Sequence, residues 1–198
     1  MTDRRVETAA GTFRLPPFEF TDEDGRPVLV APYGERAGRE GESDERDEDF
    51  EALHAMYDGW PRGEQSQGIP PVTRERTEAW LRDVLDGVNA VAWHGGAAVG
   101  HAMLIPEAGG GDDGAEHELA VFVRPRHQNA GIGRRLVEGV LALGHRAGVR
   151  HVWLTVGSWN DPALRLYQGL GFETTGFTRP SWLDRGPDAH IATMELDL

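Results

Sequence analysis

Apolar and polar positions along this chain follow two rhythms, and the rhythms separate its strands from its helices. Residues 28–31 (VLVA) form an apolar run of strand length. Across 47–56, Phe50, Leu53 and Met56 fall on one helical face. Acidic residues crowd the first turn of that segment, where the helix dipole favours them. Thr73 is placed to cap a second helix reaching about Leu85, with Ala79, Trp80, Val84 and Leu85 as its apolar stripe. Residues 89–93 and 97–105 flank Gly95-Gly96, which predicts a β-hairpin with a tight turn. Residues 119–123 read as a strand. The strongest helical signal spans 132–147, where Ile132, Leu136, Val137, Val140, Leu141 and Leu143 keep the 3.6 period and Gly148 ends it. A strand follows at 151–156, then a short helix capped by Asp161, with Pro162 at its first position and Gly171 past its end. Residues 172–177 and 191–198 supply two final strands.

The resulting order, β-α-α-β-β-β-α-β-α-β-β, predicts an α/β (α+β) domain over 28–198, one mixed sheet with helices packed against it. Residues 1–27 carry little periodicity. Phe18-Glu-Phe20 alternates and Asp24-Gly25 reads as a turn, so this segment is expected to be an arm or an extra strand. Residues 34–48 read as a solvated charged loop, and 59–71 and 107–115 as loops rich in Gly with Pro or Asp.

Composition narrows the function classes. The 198 residues are 39% hydrophobic, enough for one core, and no apolar run is long enough to cross a bilayer. The N-terminus leads into no apolar signal region, so the expected location is the cytoplasm and no membrane partner is expected. There is no cysteine, which excludes disulfides, thiolate metal sites and a cysteine nucleophile. The eight histidines match no zinc spacing, so no metal is expected. The formal net charge is −13, and all 20 basic residues are arginine. Nucleic-acid partners are not expected, because such proteins present a basic face. A GC-rich genome explains the arginine bias but not the acid excess. A salt-filled cytoplasm, in which an acidic surface stays in solution while salt screens its self-repulsion, explains the excess too.

Candidate chemistry concentrates in residues 121–135 (VFVRPRHQNAGIGRR), where a strand runs through a tight loop into the long helix. The first backbone N–H groups of a helix lack intrahelical partners and, with the dipole, favour an anion. Gly131 and Gly133 permit close approach of a ligand, and Arg134 and Arg135 add charge. This arrangement suits a diphosphate. A Walker A loop would need a lysine, and a Rossmann fingerprint would need a third glycine and a later acidic residue. Taken alone, the loop reads equally well as a plain glycine turn before a helix.

The spacing Gln128-x-x-Gly131-x-Gly133 between a strand and a long helix resembles the acetyl-CoA signature of the GNAT superfamily of N-acetyltransferases. Downstream, residues 153–156 (WLTV), Asn160, 163–167 (ALRLY) and Gly171-Phe172 resemble the next strand and helix of that family. The resemblance covers about 28–198. It implies a mostly antiparallel sheet with a V-shaped splay and acetyl-CoA as co-substrate. It implies that backbone of Val121, Phe122 and Val123 would meet the pantetheine arm. The diphosphate would lie on the amides of Gln128, Asn129, Ala130, Gly131, Ile132, Gly133 and Arg134. Asn160 would bond the pantetheine or seat the helix. The acceptor would be an amine, and by analogy the last strands would support a homodimer.

The same resemblance implies direct attack of the amine on the thioester. Tyr167 is the candidate general acid, its phenol having an ordinary pKa of about 10 against ~8.5 for a thiol. A core tyrosine is the plainer account of that position taken alone. Glu118 is the candidate base, acting directly or through water. It shares a strand face with Ala120 and Phe122, and a solvated strand-end carboxylate is the plainer account. Position 155, where some relatives carry a carboxylate, is Thr155. His127 reads as a surface residue beside the cradle, and Trp60, Trp159 and Trp182 as acceptor-side aromatics or covers of the core edge. The rival reading is a protein of this fold that binds or senses acyl-CoA without catalysis. Another acyl donor, such as succinyl-CoA, is the further alternative.

Overall fold

The computed structural model of the chain describes residues 4–36, 43–58, 60, 73–107, 116–181, 183, 186 and 188–198. Among the described residues, ten strands and four α-helices run in the order β1 (Arg5–Thr8), β2 (Gly11–Arg14), β3 (Phe18–Thr21), β4 (Pro27–Pro32), α1 (Ser43–Tyr57), α2 (Arg74–Val84), β5 (Val88–His94), β6 (Ala97–Pro106), β7 (Glu116–Val123), α3 (Ile132–Ala147), β8 (His151–Gly157), α4 (Asp161–Gln168), β9 (Glu173–Thr178) and β10 (Ile191–Asp197). β1 and β2 form a separate hairpin, and the others make an eight-stranded sheet ordered β3-β4-β5-β6-β7-β8-β10-β9. Every neighbouring pair in that sheet is antiparallel except β7 and β8. The expected mixed, mostly antiparallel sheet is thus the observed one.

Residues alternate across the sheet and bury both faces. On one face Leu104 of β6, Leu119 of β7 and Leu154 of β8 join Leu136, Val140 and Leu141 of α3, with Tyr167 and Leu170 from and after α4. On the other, Val91, Met103 and Phe122 meet Leu53, Met56 and Tyr57 of α1 and Leu81 of α2. α3 lies close to the sheet and to the segment before β3. A Cβ added at Gly139 would come 3.0 Å from Pro16 Cγ and 3.2 Å from Val30 Cγ1. Phe13 and Leu15, from the segment expected to be an arm or an extra strand, are buried in this same core.

Several boundaries differ from the sequence expectation, each for a local reason. Strands β1, β2 and β3 precede the expected first strand, paired locally as the β1–β2 hairpin and the β3–β4 hairpin, so the segment expected to be an arm or an extra strand holds three short strands. α1 starts at Ser43, inside the charged stretch expected to be loop. β7 starts at Glu116, because Glu116 pairs with His151 and accepts from Glu107 N at 3.2 Å, while His117 and Glu118 are paired on both sides. α4 is capped by Asn160, whose side chain accepts from the Ala163 amide at 3.3 Å, and Asp161 is its first helical residue. Most of the expected loops 59–71 and 107–115, part of 34–48, and Trp182 lie outside the described residues.

Candidate active site

β7 and β8 pair only through Glu116↔His151, His117↔Val152 and Glu118↔Trp153. Beyond Glu118 the ladder ends and the two strands part. The opening between them is a cleft of about 340 Å³. Its walls are Val121, Phe122 and Val123 of β7, Thr155 and Val156 of β8, and Pro162, Ala163, Leu166 and Tyr167 of α4. Gln128, Asn129, Gly131, Gly133 and Arg134 close one end, and Trp60 reaches it from the α1 side.

The end formed by 128–134 is built from backbone. Asn129 has φ 56° and Gly131 φ 82°, both left-handed, so the chain turns sharply before α3 begins at Ile132. Such alternation turns successive N–H groups toward one concavity. The first intrahelical acceptor used is Gly131 O, bonded by Arg135 N at 3.3 Å. The amides of Ile132, Gly133 and Arg134 are the free donors of the helix start, whereas Gln128 N, expected in the cradle, donates to Pro125 O at 3.2 Å. Ala130 and Ile132 are buried and anchor the loop. A Cβ added at Gly133 would stand 3.8 Å from both Leu166 Cδ2 and Val123 Cγ2, filling the neck of the cleft. The cradle therefore has the donors and the space that a diphosphate needs.

The side chains of this loop do less than their charges suggest. Arg134 Nε bonds Glu138 Oε1 at 3.0 Å and its Nη2 bonds Gly169 O at 3.2 Å. Arg135 bonds the other Glu138 oxygen at 2.8 Å. Gln128 folds back, its Nε2 donating to Val123 O at 2.9 Å. Arg124 leaves the end of β7 for α1, where it donates to Ala55 O at 2.7 Å. His127 is buried at 4% exposure against His94, not on the surface as expected.

Tyr167 lines the cleft from α4 and is 7% exposed, with its ring packed on Phe172. Burial pushes its phenol up to about 12. Glu118 sits at the closed apex of the V, in register with Ile105 and Trp153, and is not among the residues lining the cleft. Burial first, and Glu107 second, raise its carboxyl above the ordinary range. Asn160 lines the cleft while capping α4, so it seats the helix. The structure thus brings Gln128, Asn129, Gly131, Gly133, Arg134 and Tyr167 around one opening, buries Ala130 and Ile132 behind it, and holds Glu118 at its apex. Sequence reasoning missed Val156, Pro162, Ala163 and Leu166 as cleft walls. Their signal was present in the alternation of β8 and the spacing of α4.

On the α1 side of the cleft, Tyr57, Trp60, Trp80 and Phe122 form an aromatic cluster with ring centroids 5.1–6.1 Å apart, edge-to-face except for the tilted Tyr57–Trp60 pair. Trp159 instead covers Gly157. A larger groove of about 1010 Å³ lies elsewhere, floored by Trp93 and Leu29 and rimmed by Glu19, Asp47 and Glu51. It contains none of the strand-splay residues and none of the loop 128–134.

The family model described as Acetyltransferase (GNAT) family matches residues 47–172. The chain belongs to the GNAT family of acetyltransferases. Its similarity to L-amino acid N-acyltransferase MnaT of Escherichia coli (strain K12) is 32% identity over 127 residues, 53% of this chain and 73% of that protein. To N-alpha-acetyltransferase RimI of Mycobacterium tuberculosis it is 38% over 104 residues, 52% of this chain and 61% of that protein. The crystal structure of a GNAT-family acetyltransferase from Streptococcus pneumoniae matches with a TM-score of 0.67 at 20% identity, over 86% of this chain and 99% of that one. The GNAT domain of S. lividans PAT matches with 0.64 at 20% identity, over 91% and 96%. At such identities the structural likeness is one of fold. With these matches, the expectation of an acyl-CoA-dependent acetyltransferase of the GNAT superfamily is borne out.

Proposed function

We propose that this GNAT protein transfers the acetyl group of acetyl-CoA to a primary amine by direct attack. One observation carries the reading: a single cleft joins the free amides at the start of α3 to the gap between β7 and β8 and to Tyr167. The amides of 129–134 hold the diphosphate, the Gln128 amide being engaged by Pro125 O. Exposed backbone of 121–123 meets the pantetheine arm, and an N–H of that strand polarises the thioester carbonyl.

The protonated amine loses a proton through water to Glu118. Its nitrogen forms the C–N bond as the C–S bond breaks. The released thiolate takes up a proton, and the amide sheds its second proton to solvent. With no cysteine in the chain, no enzyme thiol can carry the acyl group. Tyr167 stays protonated throughout the working range. Full proton transfer from a phenol at about 12 to a thiolate of ordinary basicity, ~8.5, is uphill. Tyr167 therefore acts first as a hydrogen-bond donor to the developing negative sulfur, and where the apolar walls raise the sulfur's basicity enough for the proton to pass, the phenolate regains one from solvent.

Glu118 favours a second reading, because it does not line the cleft. A protein that binds acyl-CoA without turnover would need the cradle and not the base. Calorimetric titration of acetyl-CoA and free CoA, followed by an amine screen read by thiol release, tests both. Micromolar binding with amine-dependent thiol release supports the transferase. Binding without release for any amine supports the sensor, and no binding removes both.

A further inference from the structure

The turn between β3 and β4 lies outside the segment matched by the family, which begins at residue 47. It nevertheless reaches the cradle. Glu23 N donates to Ala130 O at 3.2 Å, and Arg26 Nη1 donates to Arg126 O at 3.1 Å. Just after the turn, Pro27 O is 2.9 Å from His94 Nδ1, and the His94 ring packs on His127. These contacts converge on residues 126–130, the stretch that turns the backbone into α3.

The turn is itself rigid. Asp22, with a fully buried side chain, accepts from Asp24 N at 3.1 Å and Arg26 N at 2.8 Å through Oδ1, and from Arg26 Nε at 2.7 Å through Oδ2. Arg26 Nη2 is also 2.7 Å from Asp24 Oδ2. The guanidinium is thereby fixed on one side and presents Nη1 to the cradle loop on the other.

We propose that the Asp22–Arg26 turn is a positioning device for the diphosphate cradle. This rests on the acetyl-CoA reading of the cleft. In a trans peptide the C=O and N–H point in opposite directions. Holding Ala130 O on Glu23 therefore turns the Gly131 N–H away from the turn. Gly131 and Asn129 both have positive φ, and a glycine leaves the backbone free to turn, so an outside restraint is what keeps these amides in one direction. Arg26 restrains the loop at its other end, at Arg126 O. Arg26 touches no ligand in this scheme and acts only through the loop.

The test compares two donors, acetyl-CoA and S-acetylpantetheine, which keeps the thioester arm and lacks the diphosphate. Dissociation constants are measured by calorimetry or NMR titration for the wild type, Arg26→Gln and Asp22→Asn, with thermal unfolding alongside. Losing one charged hydrogen bond that orders the cradle is expected to weaken acetyl-CoA about tenfold in Arg26→Gln and leave S-acetylpantetheine within about twofold. Asp22→Asn keeps the amide acceptor but loses the charge that fixes Arg26, so about threefold in the same direction is expected even if Arg26→Gln does not fold. Equal weakening of both donors, or no change for acetyl-CoA, overturns the proposal. If the wild type itself binds neither donor, it is the acetyl-CoA reading that fails.

Discussion

Tyr57 Oη lies 2.9 Å from His101 Nδ1, both side chains buried where α1 meets β6. The direction of this bond follows from its neighbour. Asn89 Nδ2 donates to Val84 O and Gly87 O, each at 2.9 Å, so Asn89 Oδ1 faces His101 Nε2 and accepts from it, also at 2.9 Å. His101 therefore carries its proton on Nε2, and Tyr57 donates to Nδ1. Tyr57 also packs on Trp60, Trp80 and Phe122, so the relay fixes the acceptor-side aromatics to the centre of the sheet.

Burial lowers the His101 pKa to about 3, so it stays neutral in the fold while the unfolded chain titrates at its ordinary 6.5. A depressed folded-state value gives stability that is complete above pH 6.5 and is lost as pH falls toward 3. The slope is about 1.4 kcal/mol per pH unit. Urea unfolding of the wild type and His101→Gln at pH 7 and pH 5 is expected to show the gap between them narrowing by about 2 kcal/mol at the lower pH. A constant gap would mean that His101 is protonated in the fold.

The parts of this molecule legible in the sequence are those set by local rules. The α3 period and the glycines at 131 and 133 are read directly, because a helix and its first turn involve neighbours in the chain. Glu138 as partner of Arg134 and Arg135 was also readable, at helical spacings of four and three. Asn160 and Asp161 are adjacent capping residues, and only the backbone decides between them. The bonds from Glu23 and Arg26 to the cradle cross about a hundred residues and leave no local mark. The same holds for Glu118, since where β7 and β8 part is a property of two distant strands.

Gly131 and Gly133 separate folding from binding. Gly131 has φ 82°, so Gly131→Ala is expected to cost about 1–2 kcal/mol of stability. Gly133 lies inside α3, and an added Cβ makes only ordinary contacts with Leu166 and Val123. Gly133→Ala is expected to be as stable as the wild type or better, by up to about 1 kcal/mol. Its Cβ occupies the cleft neck, so acetyl-CoA affinity should fall. Unfolding midpoints and calorimetric titration check the pair, and unimpaired binding by Gly133→Ala would place the ligand elsewhere.

Tyr167→Phe keeps the ring that packs on Phe172 and removes only the hydroxyl. If that hydroxyl serves the departing sulfur, kcat should fall about 10²-fold or more while acetyl-CoA affinity holds. Thiol release under saturating donor measures the first and calorimetry the second. Loss of affinity with kcat intact would make Tyr167 a wall of the cleft only.

Glu118 carries a testable conflict between stability and chemistry. Its carboxyl is raised by burial and by Glu107, so the fold holds the proton more tightly than the unfolded chain does. The sign is opposite to that of His101. The fold loses stability as pH rises from the unfolded value of 4.5 through the raised folded one, because ionising Glu118 in place is unfavourable. Glu118→Gln cannot ionise, so it should gain stability over the wild type between pH 4 and pH 7, in urea titrations at both. Its activity should fall, since a base must be ionised to accept the ammonium proton. The limb of the wild-type kcat/KM profile that rises with pH should lose its contribution from Glu118 in the variant. A variant that is more stable at pH 7 yet retains the full profile would leave Glu118 as a half-buried carboxylate at the apex of the splay, and the proton would leave through another group.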